Sequence, residues 1–259
     1  MGDRVLRIES RTKLQRDIPY RKIMSILIGS GYCHGQTTGE RERAEQFLEI
    51  WKLNTQLMGD YDIVILANAG CYPDLTFDHL NDRTSSENII SLPNNLGHVA
   101  HLLNGKNVEF CGWSAVMISL AMLAYTNECD FVYKEQDCLC FGPVIETMEN
   151  ELGSAGMIFG NCLYPDGVHR MPAAQSLFMV RHGFIPEFVR RYLGMGKDGD
   201  PNNLPEHKFK RLEDETPDKV KRFSFGVDRG RPLPIGAPVW YAQQLTDEEL
   251  EMLRNANLI

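Results

Sequence analysis

The chain opens with a polar, charged stretch, and its first largely apolar run, Lys22 to Gly29 (KIMSILIG), predicts a buried strand. Gly29, Ser30 and Gly31 follow and predict a turn. From Glu40 to Leu57 the pattern changes period. Ala44, Phe47, Leu48 and Trp51 recur at i, i+3, i+4 and i+7 with charges between them, which predicts an amphipathic helix. Tyr61 to Ala67 (YDIVILA) returns to strand character and is closed by Asn68-Ala69-Gly70. Strand, helix, strand in this order predicts a parallel pair joined by a right-handed crossover.

Asn88 to Leu92 predicts a third strand, and a polar turn over Pro93 to Gly97 and residues 98–108 lead to an apolar helix at 113–125. The chain then enters Cys129 to Gly142 (CDFVYKEQDCLCFG), an apolar strand that carries two acids, Glu135 and Asp137, at its tip. Beyond it the grammar is looser. Short strands are expected near Gly156–Phe159 and Leu177–Val180, and a helix near Pro186–Tyr192. A loop rich in Gly, Asp, Pro and Asn runs from Gly194 to Leu204, the composition of a mobile segment. Thr246 and Glu249 form a capping box for a last helix. The alternation of strands and helices predicts an α/β fold with a mostly parallel central sheet flanked by helices and a less regular C-terminal half. The organisation expected is a polar leader over 1–20, a ligand-binding half over 21–160 and a second half of the same domain over 161–259.

Composition narrows the function classes. With 259 residues and 43% hydrophobic content there is material for a substantial core. The formal charge of −8, with acids and bases interspersed, provides no field for a nucleic-acid backbone or an anionic membrane. The longest apolar run, Trp113 to Tyr125, is about thirteen residues, whereas a bilayer span takes roughly twenty. No membrane span and no secretory signal are read, and seven cysteines without a paired CxxC spacing point to a reducing, cytoplasmic setting.

The candidate chemistry lies in the two acids. On an extended segment, residues two apart point the same way, so Glu135 and Asp137 would present their carboxylates together while Gln136 and Cys138 face away. Like charges at that distance repel unless a cation lies between them. Hard divalent ions such as Mn²⁺ or Mg²⁺ take oxygen ligands, and Mg²⁺ commonly uses one or two carboxylates together with substrate phosphates. An acid pair at the carboxyl end of a parallel strand also stands where open α/β sheets bind ligands.

The succession of a first strand ending in a small polar turn, a helix, a second strand, the glycine-containing NNLGHVAHLLNG, an apolar helix and then TNECDFVYKEQDCLCFG resembles the nucleotide-binding half of glycosyltransferases with the GT-A fold. Glu135-Gln136-Asp137 stands where that family carries Asp-x-Asp, with Glu in place of the first Asp. The resemblance covers residues 22–160. It implies transfer of a hexosyl or pentosyl group from a nucleoside-diphosphate sugar, a UDP-sugar first among them, to a glycan or glycoconjugate hydroxyl. It also implies Mn²⁺ or Mg²⁺ at Asp137 and Glu135. By position it places Ser30, Gly31, Tyr32, Asn68 and Gln136 around the donor nucleotide. Where inverting members open a helix with an acidic pair beyond a flexible loop, this chain has Leu204-Pro205-Glu206-His207, which makes Glu206 the candidate base and His207 its alternate.

Arg229 and Arg231 in VDRGRPLP are candidates to close on a diphosphate, since guanidinium forks match phosphate oxygens. His169 and His182 are candidates for a further metal ligand, and Trp113, Trp240 and Tyr241 for stacking on a sugar ring. Three rival readings remain open. One is a dinucleotide- or S-adenosylmethionine-binding enzyme, suggested by Gly29, Gly31 and Gly35 but opposed by Asn68, where an acid should end the second strand. The others are a non-catalytic nucleotide-sugar binding module and a sugar nucleotidyltransferase.

Overall fold

A computed structural model describes residues 25–32, 38–68, 87–91, 110–162 and 171–259. The first strand, β1 (Ile26–Tyr32), lies between β2 (Ile63–Asn68) and β4 (Asp130–Lys134), parallel to both, and β3 (Glu87–Ser91) runs parallel to β2. Helix α1 (Thr38–Thr55) connects β1 to β2, and α2 (Gly112–Thr126) leads into β4. The sheet continues across the expected boundary between the two halves. Next to β4 comes β7 (Ala174–Val180), antiparallel, then β6 (Met157–Gly160) and β8 (Val220–Arg222), so the order is β3-β2-β1-β4-β7-β6-β8 with β7 alone reversed. A second sheet of two strands joins β5 (Leu139–Phe141) to β9 (Trp240–Ala242).

Alternation along the strands sends their side chains to two cores. Leu27, Phe131, Tyr133, Phe159 and Phe178 pack under α2, α4 (Ile185–Gly194) and α5 (Pro205–Glu215). Ile26, Ile28, Val132, Ile158 and Met179 face α1 and α3 (Val144–Leu152) on the other side. The stripe predicted on α1 is buried in full, but it serves two neighbours: Ala44, Leu48 and Trp51 meet the large sheet, while Phe47 meets the small sheet and α6 (Asp247–Asn255). The capping box on α6 is present in both directions.

Several expectations are corrected. Gly29, Ser30 and Gly31 do not turn; they pair with Ile65, Leu66 and Ala67, and β1 runs on to Tyr32. These glycines make room for α2 and for the Tyr133 hydroxyl instead. A Cβ on Gly29 would meet Leu120 Cδ1 at 2.8 Å, and one on Gly31 would meet Tyr133 Oη at 3.0 Å. Glu135 and Asp137 are not in an extended segment either. β4 stops at Lys134, and the Cys138 N–H closes a turn on the Glu135 carbonyl at 3.0 Å. The loop from Gly194 to Leu204 is anchored, because the Asp198 side chain is wholly buried and paired. Helix α3 and strands β8 and β9 had no counterpart in the reading of the sequence. The polar leader, Lys22, the glycine trio's Gly35, the segment NNLGHVAHLLNG and His169 lie outside the described residues.

Candidate functional site

β1, β2, β3 and β4 all end on the same edge, so Tyr32, Asn68, Ser91 and Lys134 border one face of the molecule, with the acidic turn rising from the last of them. The turn is held on two sides. The Glu135 N–H donates to the Ser176 carbonyl at 2.8 Å. Beneath it, wholly buried Lys134 donates from Nζ to Asn54 Oδ1 at 2.8 Å and Thr55 Oγ1 at 2.9 Å. The same Asn54 oxygen accepts the Cys140 N–H at 2.7 Å, and Asn54 Nδ2 donates to the Cys140 carbonyl at 2.6 Å. One amide at the end of α1 thus grips the chain both before and after the turn. Burial lowers the Lys134 ammonium to about 8.

The carboxyls form a mutually repelling group. Burial first, and then the neighbouring Asp137, raise Glu135 to about 8, while Arg229 acts the other way. Asp137 is also raised by burial, against stabilisation from its own N–H, from Arg229 and from the Gln244 N–H. Gln243 Nε2 donates to Glu135 Oε2 at 3.1 Å. A further acid that the sequence reading passed over completes the group. Asp228 is buried, has a left-handed φ of 50°, accepts the Ser176 hydroxyl at 2.8 Å, and is raised by burial. Its flanking glycines, Gly226 and Gly230, were the available signal: Gly226 has φ 92°, and a Cβ there would stand 2.1 Å from the Tyr241 ring. Gln243 carries no such signal. It reaches the site because its own N–H donates to the Asp228 carbonyl at 2.8 Å.

Of the residues singled out from sequence, the structure brings together Glu135, Gln136, Asp137, Arg229 and Glu206. Arg229 is the cation whose charge reaches Glu135, Asp137 and Asp228. Glu206 is buried in the first turn of α5, and its charge adds to the rise of Glu135. Beside it, His207 Nδ1 is buried with no hydrogen-bond partner among the described residues. Ser30 and Tyr32 lie at the right strand end, yet their side chains are buried, the Ser30 hydroxyl on the Gly31 carbonyl at 3.3 Å and the Tyr32 ring against α1. Asn68 closes β2 opposite Tyr32.

Arg231 is engaged elsewhere. It pairs with Glu249, at 2.8 Å through one amino group, and donates to the Gly230, Gln243 and Gln244 carbonyls, so its role is to dock α6. His182 stacks on Tyr125, and its N–H binds Asp130 at the opposite end of β4, which removes it from the acids. Trp113, Trp240 and Tyr241 are core residues: Trp113 sits edge-on to Tyr133, Trp240 stacks on Phe141, and Tyr241 meets Phe223.

Among the described residues, no group of three His, Cys, Asp or Glu side chains is arranged as a complete metal cage. The acidic turn nonetheless suits a hard dication that completes its shell with phosphate oxygens. Burial drives both carboxyls up, Asp137 drives Glu135 up further, and a cation between them would relieve that cost.

A parallel sheet of order 3-2-1-4, continued by an antiparallel strand and carrying an acidic turn at the end of its fourth strand, defines a GT-A-like α/β fold. Solved structures agree. The apo form of the glycosyltransferase GlyE from Streptococcus pneumoniae TIGR4 superposes with a TM-score of 0.53 at 11% identity, over 87% of this chain and 55% of that one. A second GlyE structure gives 0.51 at 11% identity, over 87% and 56%. The chain spans little more than half the length of the GlyE structures. No protein-family model and no curated protein matches it. No helix among the described residues is long and apolar enough to cross a membrane.

Proposed function

We propose that the protein is a metal-dependent glycosyltransferase that moves a sugar from a nucleoside-diphosphate sugar, most simply a UDP-sugar, to a hydroxyl of a glycan or glycoconjugate. The observation that carries this reading is the Glu135–Asp137 turn, held at the carboxyl end of β4 with Arg229 as its facing cation. Asp137 would hold Mn²⁺ or Mg²⁺, with Glu135 beside it kept in place by Gln243. When bound, that ion supplies Lewis-acid stabilisation of the charge on the departing diphosphate. Arg229 adds a fixed positive charge at the same place, where little water screens it. The ends of β1 and β2, at Ser30, Gly31, Tyr32 and Asn68, together with Gln136, border the space for base and ribose. Since Ser30 and Tyr32 turn their side chains inward, their contribution would come from the backbone.

Glu206 is the group positioned to take the proton of the acceptor hydroxyl. It lies in the first turn of α5, within electrostatic reach of the acidic turn. His207 stands next to it as the alternate base. The free, buried cysteines among the described residues fit a reducing compartment such as the cytoplasm.

The test is a melting-temperature panel of UDP-, GDP-, TDP- and CMP-sugars with and without Mn²⁺, followed by measurement of nucleotide release. A metal-dependent rise with one nucleotide class is expected, because a ligand that binds only the native state stabilises it. Absence of any rise would reject the donor, and a rise without turnover would identify a binding module.

A further inference from the structure

Lys208 and Asp198 are both wholly buried, with Nζ 2.6 Å from Oδ1. Nζ also donates to the Gly196 carbonyl at 2.7 Å and lies 4.6 Å from the Tyr192 ring centroid. The second carboxylate oxygen, Asp198 Oδ2, accepts the Cys111 N–H at 2.9 Å, at the N-cap of α2. In the next turn of the network, Tyr192 Oη and Ser114 Oγ are 2.7 Å apart. One polar cluster therefore joins the loop after α4, the first turn of α5 and the start of α2. That start packs on the strand that leads to the acidic turn, with Trp113 against Tyr133 at a ring-centroid distance of 5.2 Å and against Phe209 of α5 at 6.3 Å.

A buried ion pair is weak as a source of stability, since apolar residues of the same volume commonly replace it without loss. What it supplies is direction. Helix α5 begins at Leu204 without a side-chain cap, so its first turn has no anchor of its own, and Lys208 is the polar residue of that turn tied to another element. Together with the buried Phe209 and Leu212, Lys208 sets the rotation of α5 about its axis and hence the line along which Glu206 leaves it.

We propose that Asp198 and Lys208 are positioning residues for Glu206, setting its carboxylate against the donor side of the site through the N-terminus of α2. The inference rests on Glu206 being the base.

The test compares the full chain with three variants: Asp198→Asn/Lys208→Met, Glu206→Gln, and the triple combination. The probes are UDP-glucose, UDP-galactose and UDP-N-acetylglucosamine with Mn²⁺, water serves as acceptor, and UDP release is the rate measured. In the double variant the melting temperature and the donor-induced rise in it are expected to persist, release to slow about 100-fold, as misplacement by an ångström does, and amide exchange over residues 204–209 to quicken. The triple variant should be no slower than Glu206→Gln, because the two changes act through one group. An unaffected release rate or unaltered amide exchange in the double variant overturns the proposal. So does a collapse of its melting temperature, which would make the pair a stability element. If Glu206→Gln by itself leaves release unaffected, the base assignment has failed instead, and the positioning role falls with it.

Discussion

Asn54 Oδ1 accepts from Lys134 Nζ at 2.8 Å and from the Cys140 N–H at 2.7 Å, so one side chain on α1 closes the base of the turn that carries Glu135 and Asp137. Asn54→Ala would leave the Cys140 backbone groups and part of the Lys134 ammonium without partners inside the core. Each such loss costs about 1–3 kcal/mol. A marked fall in melting temperature is expected, together with a weaker stabilisation by Mn²⁺ and donor; an unchanged melting curve would refute the clamp.

Asp137→Asn should abolish metal-dependent nucleotide release while the protein stays folded, because it removes a repelling charge from a site where the carboxyl is already raised by burial. Circular dichroism and Mn²⁺ titration check both halves of the statement. Wild-type activity in this variant would reject the metal role.

Two buried groups of opposite sign, Glu135 and Lys134, act on the pH dependence of stability. Glu135 is raised to about 8 in the folded state, so between its ordinary value of 4.5 and 8 the folded form binds more protons than the unfolded one. Stability without added metal should fall over that window. Lys134 is lowered to about 8 from 10.5, so its own contribution recovers above 8, but the buried thiols of Cys111 and Cys162, pushed up from 9.0 to about 12, lose theirs above 9 and oppose that recovery. Melting temperatures should therefore fall from pH 5 to 8. Glu135→Gln should flatten that fall.

Arg229 and Arg231, two residues apart, should separate cleanly. Arg229→Met is expected to weaken donor binding and push the Glu135 carboxyl higher still, since Arg229 opposes its rise. Arg231→Met releases Glu249 and the end of β9, and should lower the melting temperature while leaving donor affinity as it was. Isothermal titration and thermal unfolding of the two variants decide the matter, and equal effects on both measurements would undo the distinction.

Gly226→Ala would force a Cβ to within 2.1 Å of the Tyr241 ring at a backbone angle that L-residues avoid. Strain of this kind costs about 1–3 kcal/mol before the clash is counted. The melting temperature should drop by several degrees, and donor binding should suffer with it because Asp228 and Arg229 follow directly.

The crossover from β1 through α1 to β2, the buried stripe on α1, the apolar α2 leading into the acidic segment and the capping box of α6 were all legible before the structure, because each is set by local periodicity or local hydrogen bonding. So was the association of Glu135 with Asp137, which their spacing alone enforces. The geometry of that pair was not: a reading of strand residues two apart missed a turn whose closure depends on Asn54 and Ser176, which are distant in sequence.

What the sequence determined by itself is therefore the element order as far as the strand that ends at the acids, a consequence of short-range pattern. Tertiary structure decided which charges meet. It selected Arg229 over Arg231, brought in Asp228 and Gln243 from a late segment, turned the side chains of Ser30 and Tyr32 inward, and pinned the Gly194–Leu204 loop through Asp198. The physical reason is that pairing of buried charges is fixed by contacts between segments about 10 to 110 residues apart, and no local period encodes those contacts.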